Sequence, residues 1–125
     1  MYKAFFDGGL RLNIMNAGFV VYSPDNKKIH EYGTKLSDHN GTVNIAEYKA
    51  LQLLLQYLID NNIKDVEVFG DCQTIIYQIN GKNYVNAKHL QDEHAKVVTM
   101  MNKFDKITIS WIPREKNTEA DRIAR

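Results

Sequence analysis

The hydrophobic period of this chain changes part-way along it, and that change constrains the fold more than any other feature of the sequence. Three β-rich runs come first, over residues 2–6, 18–22 and 29–36. Gly8-Gly9 reads as the turn that ends the first run, and Ser23-Pro24-Asp25-Asn26 stops the second. Such short separations predict an antiparallel meander. Leu51, Leu54, Leu55 and Leu58 then recur at helical spacing, which predicts an amphipathic helix over 45–61, stopped by Asn61-Asn62. Strand and helix alternate from there: a strand over 66–70, a helix over 73–80 closed by Gly81, a helix over 87–103, a strand over 107–112, a polar loop from Pro113 and a helix over 118–125. The order β-β-β-α-β-α-α-β-α predicts an α/β fold, a mixed sheet covered by helices. With 125 residues, two prolines and no repeat or linker, the expectation is a single domain over 1–125.

Composition narrows the function classes. A 44% hydrophobic, 25% charged chain has the material for a core and is not a disordered segment. The net charge of +1 excludes nucleic-acid binding argued from bulk charge, so any such claim must rest on a site. Cys72 is the only cysteine, which rules out an intrachain disulfide and suits a reducing compartment. No apolar run reaches membrane-spanning length, and the opening run is too short for a signal peptide. These features lead to the expectation of a cytoplasmic monomer without membrane contact.

Four carboxylates stand where a plain core would not want them. Asp7 and Asp71 each close an apolar strand beside glycine, at the strand end where ligands collect in α/β sheets. Glu47 shares the helical stripe of Leu51, Leu54 and Leu58, a costly place for a carboxylate unless it is paired or metal-bound. Asp121 falls in the first turn of the last helix. Taken singly, each is explained by turn, dipole or cap chemistry. Together, with no convergent Cys/His set, they favour a hard, oxygen-seeking ion such as Mg²⁺ or Mn²⁺.

The text around these residues resembles type 1 ribonuclease H, in its compact archaeal, bacterial and plant-type form. Asp7-Gly8-Gly9 with Arg11, Asn13 and Ala17-Gly18 is similar to the family's opening motif. The run from Thr42 through Asn44 and Glu47 to Leu51 resembles its glutamate segment, and Gly70-Asp71-Cys72-Gln73 its Asp-Ser-Gln motif. Trp111-Ile112-Pro113-Arg114-Glu115-Lys116-Asn117, followed by Glu119-Ala120-Asp121, is close to the final motif of the compact forms.

The resemblance implies a five-stranded mixed sheet in the order 3-2-1-4-5 with helices on both faces. It implies hydrolysis of the RNA strand of RNA–DNA hybrids, leaving 5′-phosphate and 3′-hydroxyl ends, with double-stranded RNA as a further substrate to test. Asp7, Glu47, Asp71 and Asp121 would hold two Mg²⁺ ions, or Mn²⁺. Such ions sit roughly 4 Å apart in two-metal sites. Asp7 would bridge both, Asp121 would complete the site of the ion that activates water, and Glu47 and Asp71 would hold the ion nearer the leaving oxygen. The substrate contacts implied by position are the backbone at Gly8 and Gly9, the 2′-hydroxyl readers Asn13, Asn44 and Gln73, and Thr42 at a DNA-strand phosphate.

Four departures matter. Arg114 stands where many bacterial relatives place a mobile histidine; arginine is no general base, so its expected role is to bind phosphate or product. Asn13-Ile14-Met15-Asn16 replaces the usual proline and glycine, and Cys72 replaces a common serine, expected as a small buried side chain without chemical role. The segment 81–88 carries only Lys82 and Lys88 where larger relatives hold a basic handle, which predicts weak, salt-sensitive binding. Tyr84, beside Lys82, is placed to touch a backbone sugar, while His30, His39, His89 and His94 show no ligand spacing. Two other readings stay open: a superfamily relative acting on duplex RNA or branched DNA, and a non-catalytic binding module.

Overall fold

Strand β1 (Tyr2–Arg11) and strand β2 (Ile14–Tyr22) form a hairpin in the computed structural model, which describes residues 1–36 and 41–125. Its two turn residues, Leu12 and Asn13, both have positive φ, 51° and 62°. That is the geometry two-residue hairpins prefer, because it matches the twist of the strands. The Gly8-Gly9 pair is therefore not the turn that the sequence suggests. β1 runs through it, with Gly8 opposite Ala17 and Gly9 opposite Asn16, and Asp7 lies within the strand rather than at its end. The physical reason for Gly8 is close approach, since a Cβ there would collide with the Ala46 backbone carbonyl.

Strand β3 (Lys28–Leu36) completes the meander. Helix α1 (Val43–Asp60) begins at Thr42, whose hydroxyl accepts the Ile45 N–H at 3.2 Å as an N-cap. It stops at Asn61, and Asn62 turns the chain at φ 56°. Strand β4 (Asp65–Gly70), helix α2 (Gln73–Ile79), helix α3 (Lys88–Met101) and strand β5 (Lys106–Trp111) follow, and Gly81, at φ 76°, ends the turn after α2. The loop after Pro113 contains a single 3₁₀ turn, Arg114–Lys116, and then helix α4 (Thr118–Ala124).

The sheet order is β3-β2-β1-β4-β5, with β1/β2 and β2/β3 antiparallel and β1/β4 and β4/β5 parallel. Alternation along β1 sends Ala4 and Phe6 into the core with Leu51, Leu54, Leu55 and Leu58 of α1. Full burial of each such leucine contributes about 1.5–3 kcal/mol. Lys49 and Glu93, 2.9 Å apart, tie α1 to α3, and the Tyr48 hydroxyl donates to Gln78 of α2 at 2.7 Å.

The opposite face receives α4. Gly18 on β2 and Gly33 on β3 sit opposite one another, and a Cβ at Gly18 would meet the Ala124 nitrogen at 2.5 Å. One at Gly33 would strike the Ile123 carbonyl. Two glycines thus open a seat for a helix of seven residues that could not persist alone. Helices cover both faces, as expected.

Candidate active site

The site arises where two parallel strands part. β1 pairs with β4 only as far as Phe5 opposite Phe69, yet β1 continues to Arg11. Past that point the β4 side of β1 lacks a ladder partner, and the Gly8 N–H would be left without an acceptor. Glu47 supplies it: its Oε1 accepts the Gly8 N–H at 2.6 Å. Glu47 is only 2% exposed and lies one residue beyond the first turn of α1, slightly deeper than its spacing suggests. Ala46 packs against Gly8, which brings the start of α1 close enough for the bond.

Asp7, Glu47 and Asp71 each offer an oxygen within 4.8 Å of the others. Asp121 reaches the same cleft from α4, within hydrogen-bonding reach of Asp7, and is held by Arg125 at 3.1 Å. The cleft, about 360 Å³, is also lined by Gly8, Gly9 and Arg114. All four sequence-derived carboxylates therefore converge.

Their electrostatics ask for a cation. Asp7, 9% exposed, is pushed up to about 8 by burial, then by the charge of Asp71 and by Asp121, with Arg114 opposing. Burial also raises Glu47 well above the carboxylate range, aided by Asp7 and Asp71 and opposed by the Gly8 N–H and Cys72. Like charges this close and this dry resist joint ionisation. A divalent ion removes the conflict, and an all-oxygen donor set fits Mg²⁺ or Mn²⁺ better than a soft metal.

The residues proposed as substrate contacts divide. Gly8 and Gly9 line the cleft. Asn44 and the α2 start meet, since the Cys72 thiol donates to Asn44 Oδ1 at 3.6 Å, and Gln73 follows with its amide on the Tyr77 hydroxyl at 3.0 Å. Thr42 caps α1. Asn13 is exposed at the hairpin tip, away from the carboxylates. Cys72 is half-buried rather than fully buried, and burial pushes its thiol up to about 11. Tyr84 is exposed, and Lys82 lies over the Tyr77 ring instead. His30 stacks on Tyr57, His94 bonds the Gln78 carbonyl and His89 is exposed, whereas His39 lies outside the described residues.

Asn117 and Asn16 belong to this region but carry no obvious sign in the residues alone. Asn117 is 1% exposed and its amide donates to both Phe6 O and Asp71 Oδ2 at 2.9 Å. Its place in the Trp111–Asp121 motif was the available signal. Asn16 is buried beside Gly9, whose added Cβ would stand 3.1 Å from Asn16 Oδ1.

Known proteins share this fold. A family model described as "Reverse transcriptase-like" matches residues 5–125. The ribonuclease H1 structure from the halophilic archaeon Halobacterium salinarum is similar at TM-score 0.93 and 31% identity, over 98% of this chain and 93% of that one. The chain belongs to the type 1 ribonuclease H family. Among curated ribonuclease H relatives, ribonuclease HI of Halobacterium salinarum is 32% identical over 97% of this chain, which spans 61% of that protein's length. A bifunctional protein of Mycobacterium tuberculosis is 29% identical over 94% of this chain, which spans 33% of that protein. The ribonuclease H fold recurs in LC11 ribonuclease H1, solved in complex with an RNA/DNA hybrid, at TM-score 0.89 and 29% identity, over 98% of this chain and 93% of that one.

Proposed function

We propose that this chain is a metal-dependent endoribonuclease that hydrolyses the RNA strand of RNA–DNA hybrids, leaving 5′-phosphate and 3′-hydroxyl ends. The observation that carries this reading is the convergence of Asp7, Glu47 and Asp71 within 4.8 Å, with Asp121 on the same cleft. Asp7, Glu47, Asp71 and Asp121 would hold the ions in this reading, Asp7 and Asp121 serving the ion that activates water and Glu47 and Asp71 the ion nearer the leaving oxygen. Two Mg²⁺ ions, with Mn²⁺ as the alternative, would supply an activated water and charge stabilisation for the leaving oxygen.

The protein's own groups orient the substrate. The backbone at Gly8 and Gly9, with Asn44 and Gln73, reads the minor groove, where the 2′-hydroxyl separates RNA from DNA. Thr42 and Asn13 meet the backbone further out. Arg114 cannot take a proton at neutral pH and instead holds the phosphate or the product. Residues 1–125 act as one domain in this reading, in the cytoplasm and as a monomer. The hybrid bound to LC11 ribonuclease H1 supports the choice of substrate.

A labelled RNA–DNA hybrid, incubated with Mg²⁺, Mn²⁺ or EDTA beside Asp7→Ala, tests the proposal. Metal-dependent cutting of the RNA strand, lost in the variant, is the expected result. Single-stranded RNA, duplex DNA and duplex RNA run alongside. Absence of cutting by folded protein at every metal concentration would return the chain to the non-catalytic binding reading.

A further inference from the structure

A second cleft, about 550 Å³, adjoins the carboxylates. It is walled by Arg11 at the end of β1, Lys35 on β3 and Arg125 after α4, and no acidic side chain lines it. Leu10, Arg11, Asn16 and Arg125 line both clefts, so the two are continuous.

The strand register explains how three distant positions meet. Asp7, Gly9 and Arg11 alternate onto one face of β1. Gly9 stands opposite Asn16, and Asn16 stands opposite Lys35. This is the face that α4 covers, which brings Arg125 alongside. Gly9 has no side chain, and Asn16, whose Oδ1 lies 3.1 Å from where a Gly9 Cβ would stand, forms the floor between Asp7 and Arg11. Arg11 lies four steps along the strand from Asp7, roughly 13 Å between Cα atoms. A group held at Arg11 therefore lies beyond the phosphate being cut.

We propose that the Arg11–Lys35–Arg125 cleft is a phosphodiester subsite that holds the nucleic-acid backbone beside the scissile position. This rests on the nuclease reading for its substrate. In a chain of net charge +1 this is a local concentration of cations, and among the described residues neither Arg11 nor Lys35 has a carboxylate ion-pair partner. Leu10, Leu12 and Ile14 add an apolar wall, Leu12 being 95% exposed. A strand has both matching parts: phosphates for the cations and sugar faces for the apolar wall. The contact is blind to sequence because phosphates carry no base information. It compensates in part for the sparse cations of 81–88.

The test compares wild type with Arg11→Gln/Lys35→Gln, leaving Arg125 untouched because it also holds Asp121. Hybrid cleavage is measured over a range of salt, and metal-free binding of a fluorescent hybrid is measured by anisotropy. The expected result is a KM and a Kd raised roughly tenfold, a loss falling on KM rather than kcat, and a salt dependence shallower by about one to two in log–log slope. Arg11→Lys/Lys35→Arg should restore most of the binding. The deficit should vanish for hybrids trimmed until no phosphate reaches the cleft. Equal KM, Kd and salt slope in an active wild type and the folded variant would overturn the subsite. If wild type binds hybrid through these residues yet never cuts it, the nuclease reading fails and the subsite stands.

Discussion

The side-chain amide of Asn117 bridges the two parallel strands at the site, donating at 2.9 Å to the Phe6 carbonyl of β1 and at 2.9 Å to the Asp71 carboxylate after β4. It sets the spacing between Asp71 and Asp7 from outside the carboxylate cluster. Asn117→Ala is expected to cost about 1–3 kcal/mol of stability by leaving buried acceptors unpaired. Metal affinity and cleavage should fall about 10–100-fold, as for residues that orient ligands without binding the ion. Calorimetric Mg²⁺ titration beside a thermal melt separates the two effects, and unchanged metal affinity would remove Asn117 from this role.

Glu47→Gln separates structure from chemistry. The amide oxygen can still accept the Gly8 N–H, so the local fold should hold. Replacing a buried carboxylate that faces Asp7 and Asp71 relieves repulsion in the metal-free protein. The expected outcome is a higher melting temperature in EDTA with cleavage reduced by roughly 100-fold or more, the scale of losing one transition-state electrostatic group. A lower melting temperature would show that the charge itself supports the fold.

The raised carboxylates give the metal-free protein an unusual pH response. Asp7 titrates at about 8 when folded against 3.8 as a free side chain, because burial and then Asp71 oppose its charge. Between those values the folded state holds more protons than the unfolded one, so stability is greatest at the acidic end and falls as pH rises toward 8. Glu47 is shifted in the same direction. Melts in EDTA from pH 5 to pH 8.5 should therefore show a declining midpoint, flattened in Asp7→Asn. Mg²⁺ should raise the midpoint more at the alkaline end. A midpoint that climbs with pH would contradict this account.

Gly33→Ala tests how Asp121 is held. A Cβ at Gly33 meets the Ile123 carbonyl, so α4 must move before β3 does. Cleavage should drop by more than tenfold while unfolding shifts by about 1–3 kcal/mol, the scale of overpacking. Equal losses in cleavage and in folded fraction would mean that the whole sheet is disturbed.

Much of this was legible in the residues because period and spacing are local properties. The leucine stripe of α1, the stop at Asn61-Asn62 and Gly81 after α2 stand as expected. Glu47 was conspicuous because a carboxylate on an apolar stripe requires a partner. Gly8-Gly9 misled because a glycine pair signals a turn only when nothing packs against it. Here the α1 backbone does, and the turn passed to Leu12-Asn13, of which Leu12 is a poor left-handed residue. Asn117 was visible only as part of the Trp111–Asp121 motif, because its role lies in joining Phe6 to Asp71, a relation between segments that period and spacing do not encode.

The seating of α4 on two glycines also bears on how the site comes apart. Asp7 lies on the central strand of the sheet, where backbone amides should exchange with solvent only on global opening. Asp121 rides on seven residues that can detach without breaking a single sheet hydrogen bond. Loss of the site on warming should thus be staged: fraying of α4 releases Asp121 while Asp7, Glu47 and Asp71 remain assembled. On the proposed two-ion nuclease reading, a warmed protein would keep one cation and its fold but lose catalysis, so inactivation should precede melting.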